Sequence, residues 1–139
     1  MTIIGITMGC PVSIGPEIIL RYFSTRENQA DLFPVVLGDK EILEWCGREL
    51  NIPSPCVSWS PGTPLPERGI PVVELSSLPY NALLWGKPTP MTGRAMAGYI
   101  ESGVQLVQQG VLDGLTTCPI SKASLNEAGY QFPGHTEML

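Results

Sequence analysis

The sequence predicts an α/β fold, because short apolar runs alternate with stretches of helical periodicity and the breaks between them are rich in Gly and Pro. Three runs carry the strand prediction. Thr2 to Met8 (TIIGITM) is nearly continuous in apolar character, which suits a strand buried on both faces. Phe33 to Leu37 (FPVVL) is the second run. Ile70 to Leu75 (IPVVEL) is the third, with Pro71 confining it to an edge or to the beginning of a strand.

After the first run, Gly9-Cys10-Pro11-Val12-Ser13-Ile14-Gly15 breaks the strand, and Pro16 suits the first turn of a helix, where its missing N–H has no partner to lose. Glu17 follows where the helix dipole favours a carboxylate. Ile18, Ile19, Tyr22 and Phe23 recur at helical spacing and predict one apolar stripe. Gly38-Asp39 offers a turn and an N-cap, and Ile42, Leu43, Trp45, Cys46 and Leu50 predict the next helix face. From Asn51 to Arg68, Pro53, Pro55, Pro61, Pro64 and Pro66 exclude a regular helix. A loop through Pro79, Gly86, Pro88 and Pro90 leads to the clearest helix, Thr92 to Gln109, whose Met96, Tyr99, Ile100, Gly103, Val104 and Val107 share a face. Gly110 is its natural terminator. Val111 to Thr117 leads into a strand that Pro119 ends, and Ser121 caps a short helix through Ala128. With no repeat and no low-complexity tract, residues 1–139 read as one α/β unit.

Composition bounds the function. Of the 139 residues, 43% are apolar and 15% charged, enough for a buried core. The 8 basic and 13 acidic residues give a net charge of −5, a field that repels polyanions and argues against nucleic acid as a partner. No run approaches the roughly 18 apolar residues that span a bilayer. The N-terminus lacks a basic segment and a cleavage site, so the expectation is a soluble, cytoplasmic protein without a membrane partner. Cys10, Cys46, Cys56 and Cys118 include no C-x-x-C pair, and His135 is the sole histidine, so no structural zinc site is expected.

Three places could carry chemistry. The Gly9 to Glu17 junction either holds an anion on free helix-start N–H groups or uses its glycines simply to turn; it matches neither G-x-G-x-x-G nor the P-loop pattern. At the Thr116 to Lys122 junction, Lys122 sits at a helix start where an acid would be more stable. It serves either an anionic ligand or solvent. In Gly134-His135-Thr136-Glu137, Thr136 can cap a further helix, and His135 either titrates and binds or is structural. Cys10-Pro11 and Cys118-Pro119 both follow apolar strands, which in a parallel sheet places them at the carboxyl edge where α/β proteins bind ligands. Neither has a neighbouring histidine to make it a nucleophile, which favours unreactive thiols.

Read in order, these junctions resemble the 4-hydroxythreonine-4-phosphate dehydrogenase family of vitamin B6 biosynthesis. Ile6 to Ile18 (ITMGCPVSIGPEI) is similar to the family's I-T-M-G-D-P-A-G-I-G-P-E-I. Gly86-Lys87-Pro88 through Thr92-Gly93-Arg94-Ala95 resembles its middle segment. Thr117 to Lys122 (TCPISK) and Gly129 to Glu137 resemble T-A-P-I-N-K followed by A-G-x-x-x-P-G-H-T-E.

The resemblance implies a three-layer α/β/α fold of the isocitrate and isopropylmalate dehydrogenase kind, present here as an incomplete, N-terminal portion, and a homodimeric enzyme. Family members oxidise 4-phosphohydroxy-threonine with NAD or NADP, and the 3-keto acid formed loses carbon dioxide. A divalent metal (zinc, magnesium or cobalt) acts as the Lewis acid. The motif's histidine and threonine contact the phosphorylated substrate and match His135 and Thr136. The family's metal-binding histidines, later basic residues and nicotinamide region have no counterpart in this sequence. No catalytic, cofactor-binding or metal residue is therefore assigned, and the expectation is that the chain alone neither turns over substrate nor holds metal tightly. Cys10 stands where the motif has aspartate, and Ser13 where it has glycine. That first departure motivates a rival reading, a non-catalytic module for a phosphorylated ligand on the same fold.

Overall fold

The computed structural model describes residues 1–130. Five strands are present among them: β1 (Thr2–Thr7), β2 (Leu32–Gly38), β3 (Cys56–Ser58), β4 (Ile70–Glu74) and β5 (Gly114–Thr117). Four α-helices alternate with them: α1 (Gly15–Thr25), α2 (Lys40–Leu50), α3 (Pro90–Gln108) and α4 (Lys122–Glu127). All strand pairs are parallel, in the order β3-β4-β2-β1-β5. The α/β expectation holds.

Register sorts the apolar side chains onto two faces. Ile6, Val36 and Val72 lie on one face and pack with Ile19 and Leu20 of α1 and Ile42 and Leu43 of α2. Val35, Leu37 and Val73 point to the other, where Leu112 and the Leu106 and Val107 end of α3 cover them. Each fully buried leucine or isoleucine contributes roughly 1.5–3 kcal/mol relative to exposure. Gly103 is the point of closest approach of α3 to the sheet, since a Cβ there would press on Leu115 and Leu37. The first half of α3, with Met96 and Tyr99, joins the α1–α2 layer instead. Helix α3 thus passes the carboxyl end of the sheet before covering its second face.

The caps explain the helix boundaries. Asp39 accepts from the Ile42 N–H at 3.1 Å and starts α2 as expected. Helix α3 begins at Pro90, two residues ahead of the Thr92 start read from periodicity. Thr89 and Thr92 form a reciprocal capping box there, with Pro in the first turn. Gly110 terminates α3 with φ of 77°.

Pro71 lies at the beginning of its strand, as the second residue of β4, which is itself an inner strand between β3 and β2. The proline-rich stretch contains no helix, as expected, and adds a short strand, β3. One expectation is corrected. The stripe expected on α1 is split, because Ile19 is buried whereas Ile18 and Tyr22 are 43% and 39% exposed. No helix among the described residues is long and apolar enough to cross a membrane.

Candidate functional site

The sheet order defines a crevice. From β1 the chain steps to β2 on one side and later returns to β5 on the other, so the loops after β1 and after β5 diverge at the carboxyl edge. Open parallel sheets bind their ligands at such a switch point. The Gly9–Gly15 loop and the Cys118–Ser121 loop meet here. The Cys10 N–H donates to the Pro119 carbonyl at 3.2 Å, and the Cys118 N–H donates to the Thr7 carbonyl at 3.1 Å. Two of the sites read from sequence are therefore one site.

The glycines of the first loop are explained by that meeting. Gly9 has φ of 72°, and a Cβ on it would collide with the Pro119 carbonyl oxygen. A Cβ on Gly15 would collide with the Met8 carbonyl oxygen and lie 3.3 Å from the Cys118 Cβ. Of the two readings open for this junction, close packing is the one with geometric support. Helix α1 carries Ile14 at its N-cap, which offers no side-chain bond to the helix start.

A roof covers the edge. The segment after β4 folds back so that the Gly86 N–H donates to the Val12 carbonyl at 2.6 Å, while Trp85 stacks on Trp45 of α2 with ring centroids 4.2 Å apart. Helix α4 is fixed beside it. Ser121 caps it by accepting from the Ser124 N–H, and the Ser124 hydroxyl donates to the Thr89 carbonyl at 2.7 Å. Lys122, its first residue, is exposed.

Beneath the roof lies a polar network that sequence reading missed. Asp39, fully buried, accepts from the Leu78 N–H at 2.7 Å and from the Ser76 hydroxyl at 2.8 Å, besides capping α2. Ser76 has one hydrogen and gives it to Asp39, so the Tyr99 hydroxyl 2.6 Å away must be the donor in that pair. Burial pushes the Tyr99 phenol well above its ordinary range, which keeps the donor protonated. The chain ends of β2 and β4 are thereby tied to α3. Thr7 adds one loose end: its Oγ1 is buried at the end of β1 without a hydrogen-bond partner among the described residues.

The thiols are not poised for nucleophilic chemistry. Burial raises the Cys10 thiol and pushes Cys118 up to about 11, so both are protonated near neutral pH. Among the described residues, no three His, Cys, Asp or Glu side chains gather as a metal ligand set. His135 and Thr136 lie outside the described residues. At the opposite end of the sheet, a cavity of about 880 Å³ opens between the α1–β2 connection and the proline-rich stretch. It gathers Arg26, Glu67 and Arg68. The switch-point crevice, where the sequence motifs converge, is the better candidate.

Fold and crevice together define an open, all-parallel α/β protein with a switch point at the carboxyl edge of its sheet. The model of the pyridoxal phosphate biosynthetic protein PdxA family matches residues 31–139, and the chain belongs to that family. It is 37% identical to a 4-hydroxythreonine-4-phosphate dehydrogenase of Trichlorobacter lovleyi, over 98% of this chain and 41% of the relative. It is 36% identical to a D-threonate 4-phosphate dehydrogenase of Cupriavidus necator, over 100% of this chain and 42% of the relative. The crystal structure of a 4-hydroxythreonine-4-phosphate dehydrogenase from Burkholderia phymatum superposes with a TM-score of 0.92 at 30% identity, covering 100% of this chain and 42% of that one. The chain thus spans about two fifths of the length of the relatives it matches.

Proposed function

We propose that the chain supplies one wall of the substrate pocket of a dehydrogenase acting on a four-carbon hydroxy acid phosphorylated at its end. The first candidate is 4-phosphohydroxy-threonine, oxidised to a 3-keto acid that decarboxylates, as a step of vitamin B6 biosynthesis. The observation that carries the reading is the hydrogen bond from Cys10 to Pro119, which joins two family motifs at the switch-point crevice of a PdxA-family chain. D-threonate 4-phosphate is the alternative substrate, supported by relatives of that name at comparable identity.

In this reading the chain binds and orients. His135 and Thr136 hold the phosphorylated substrate by hydrogen bonds, and exposed Lys122, beside the second junction, raises the local concentration of an anion. NAD or NADP would accept the hydride, and a divalent metal (zinc, magnesium or cobalt) would polarise the hydroxyl. The described residues fit neither group, having no ligand trio and no dinucleotide fingerprint. The reading assigns both groups to polypeptide that the relatives carry outside the matched stretch, and no step is routed through them here. It also carries a homodimer in the cytoplasm, without nucleic acid or membrane as partner. The rival, a non-catalytic module for a phosphorylated ligand, draws on Cys10 in place of the motif's aspartate. The dehydrogenase names of the relatives weigh against it.

The test is a chimera of this chain with the rest of the Trichlorobacter lovleyi relative. His135→Ala and Thr136→Val should each raise KM by roughly 10- to 150-fold, the cost of one hydrogen bond to a charged group. Unchanged KM in both variants refutes the assignment.

A further inference from the structure

At the amino end of the sheet, a cavity joins apolar walls to two arginines that no acid neutralises. It is the space of about 880 Å³ between the α1–β2 connection and the proline-rich stretch, a volume that suits a small-molecule ligand. Five of its lining residues are Pro34, Pro53, Pro55, Pro66 and Pro71, whose fixed φ stiffens the walls. The proline-rich side is tied to the sheet, because the Ile70 N–H donates to the Pro55 carbonyl at 2.8 Å. A ligand entering here finds its site already built, which lowers the cost of binding. Phe23, Leu32, Phe33 and Leu65 line the space and stay half-buried, with apolar surface still to be covered.

The charges select the ligand. Arg26, Arg68 and Glu67 line the cavity, a local balance of +1 on a chain of net charge −5. Among the described residues, the ion pairs are Arg21–Glu17 and Lys40–Glu44, so neither cavity arginine is paired. The Arg26 guanidinium carbon lies 5.8 Å from the ring centroids of both Tyr22 and Phe23, which holds it in place. Its hydrogen bond to the Leu32 carbonyl is long, at 3.5 Å. Its Nε is shut off from water and has no acceptor among the described residues. A guanidinium has five N–H donors, and this one is partly withdrawn from water with most of them unmet. An anion supplies the missing acceptors, and a carboxylate does so in the geometry of the guanidinium fork.

We propose that this cavity binds a small organic monocarboxylate, its carboxylate taken by Arg26 and Arg68 and its apolar, ring-sized body laid against Phe23, Leu32 and Leu65. A cation is repelled by the positive lining, and a neutral apolar molecule leaves both guanidinium groups as they are. One negative charge balances the lining, whereas a phosphate dianion leaves an excess beside Glu67. The inference does not rest on the dehydrogenase reading.

The test titrates 2-naphthoate into the 139-residue chain and follows the heat of binding. The expected result is saturable binding of one probe per chain, with the uncharged 2-naphthamide at least about tenfold weaker. Arg26→Met, which keeps an apolar stem, and Arg68→Met, at an exposed position, should each weaken 2-naphthoate by roughly 10- to 150-fold. Arg48→Met removes the same charge from an exposed site on α2 outside the cavity, and should change the affinity less than about twofold. If Arg26→Met does not unfold cooperatively, Arg68→Met and the amide decide the matter. Four results would overturn the proposal: no saturable binding, equal affinity for acid and amide, full affinity in both cavity variants, or an equal loss in Arg48→Met. Displacement of 2-naphthoate by an equal concentration of inorganic phosphate would overturn the ligand class.

Discussion

The backbone N–H of Cys10 donates to the carbonyl of Pro119 across 3.2 Å, joining loops that are more than a hundred residues apart in the chain. Neither partner uses its side chain, so the bond tolerates a cysteine where the family motif has aspartate. What it demands is space for two backbones, and Gly9 provides it.

Gly9→Ala should therefore be costly. The new Cβ meets the Pro119 oxygen, and the residue must hold φ near 72°. Left-handed strain and overpacking together predict a loss of about 2–4 kcal/mol, read from urea unfolding. Gly62→Ala is the control: its φ is 88°, but nothing lies within 4 Å of the new Cβ, so only the strain of about 1–2 kcal/mol remains.

The buried network gives a graded series. Tyr99→Phe removes one donor to Ser76 and should cost about 1 kcal/mol. Asp39→Ala removes the α2 cap and strands the Leu78 N–H and the Ser76 hydroxyl, so about 3 kcal/mol or more is expected. Equal destabilisation by the two changes would contradict the placement of Asp39 at the centre of the network.

The cysteines set a limit at high pH. Burial pushes Cys46 and Cys118 up to about 11 and Cys56 up to about 12, against an ordinary value of 9.0 in the unfolded chain. Below pH 9 the thiols are protonated in both states and contribute their full share of stability. Between pH 9 and about 11 the unfolded chain loses these protons first, so stability falls as pH rises through the folded values. Replacing Cys118 by Ala should flatten part of that decline in unfolding free energy against pH. An unaltered slope would show that this thiol is not shielded.

Much of the scaffold was legible because its signals are local. Alternating apolar runs marked β1, β2 and β4, Asp39 and Ser121 announced their helices, and Gly110 closed α3. The three-residue β3 was not legible, since Pro53 and Pro55 mask a strand whose pairing with β4 is a tertiary event. The Asp39–Ser76–Tyr99 network was invisible for the same reason: its members lie on three elements and no spacing links them. Ile18 and Tyr22 misled the stripe on α1 because periodicity cannot distinguish a buried face from an apolar one left open. At the candidate site, sequence placed both junctions at the carboxyl edge but left the role of the glycines open, and only the approach of Pro119 and Met8 decided it.

The central claim is that this chain is the substrate-wall portion of a dehydrogenase. The measurement that tests it most directly follows reduced nicotinamide by absorbance with 4-phosphohydroxy-threonine or D-threonate 4-phosphate, NAD or NADP, and zinc, magnesium, cobalt or manganese. The 139-residue chain and its chimera with the Trichlorobacter lovleyi remainder are compared side by side. The account predicts turnover by the chimera with one of the two substrates, and none by the chain alone above the no-protein control. A cooperatively folded chimera inert toward both substrates, or turnover by the chain alone, would contradict it.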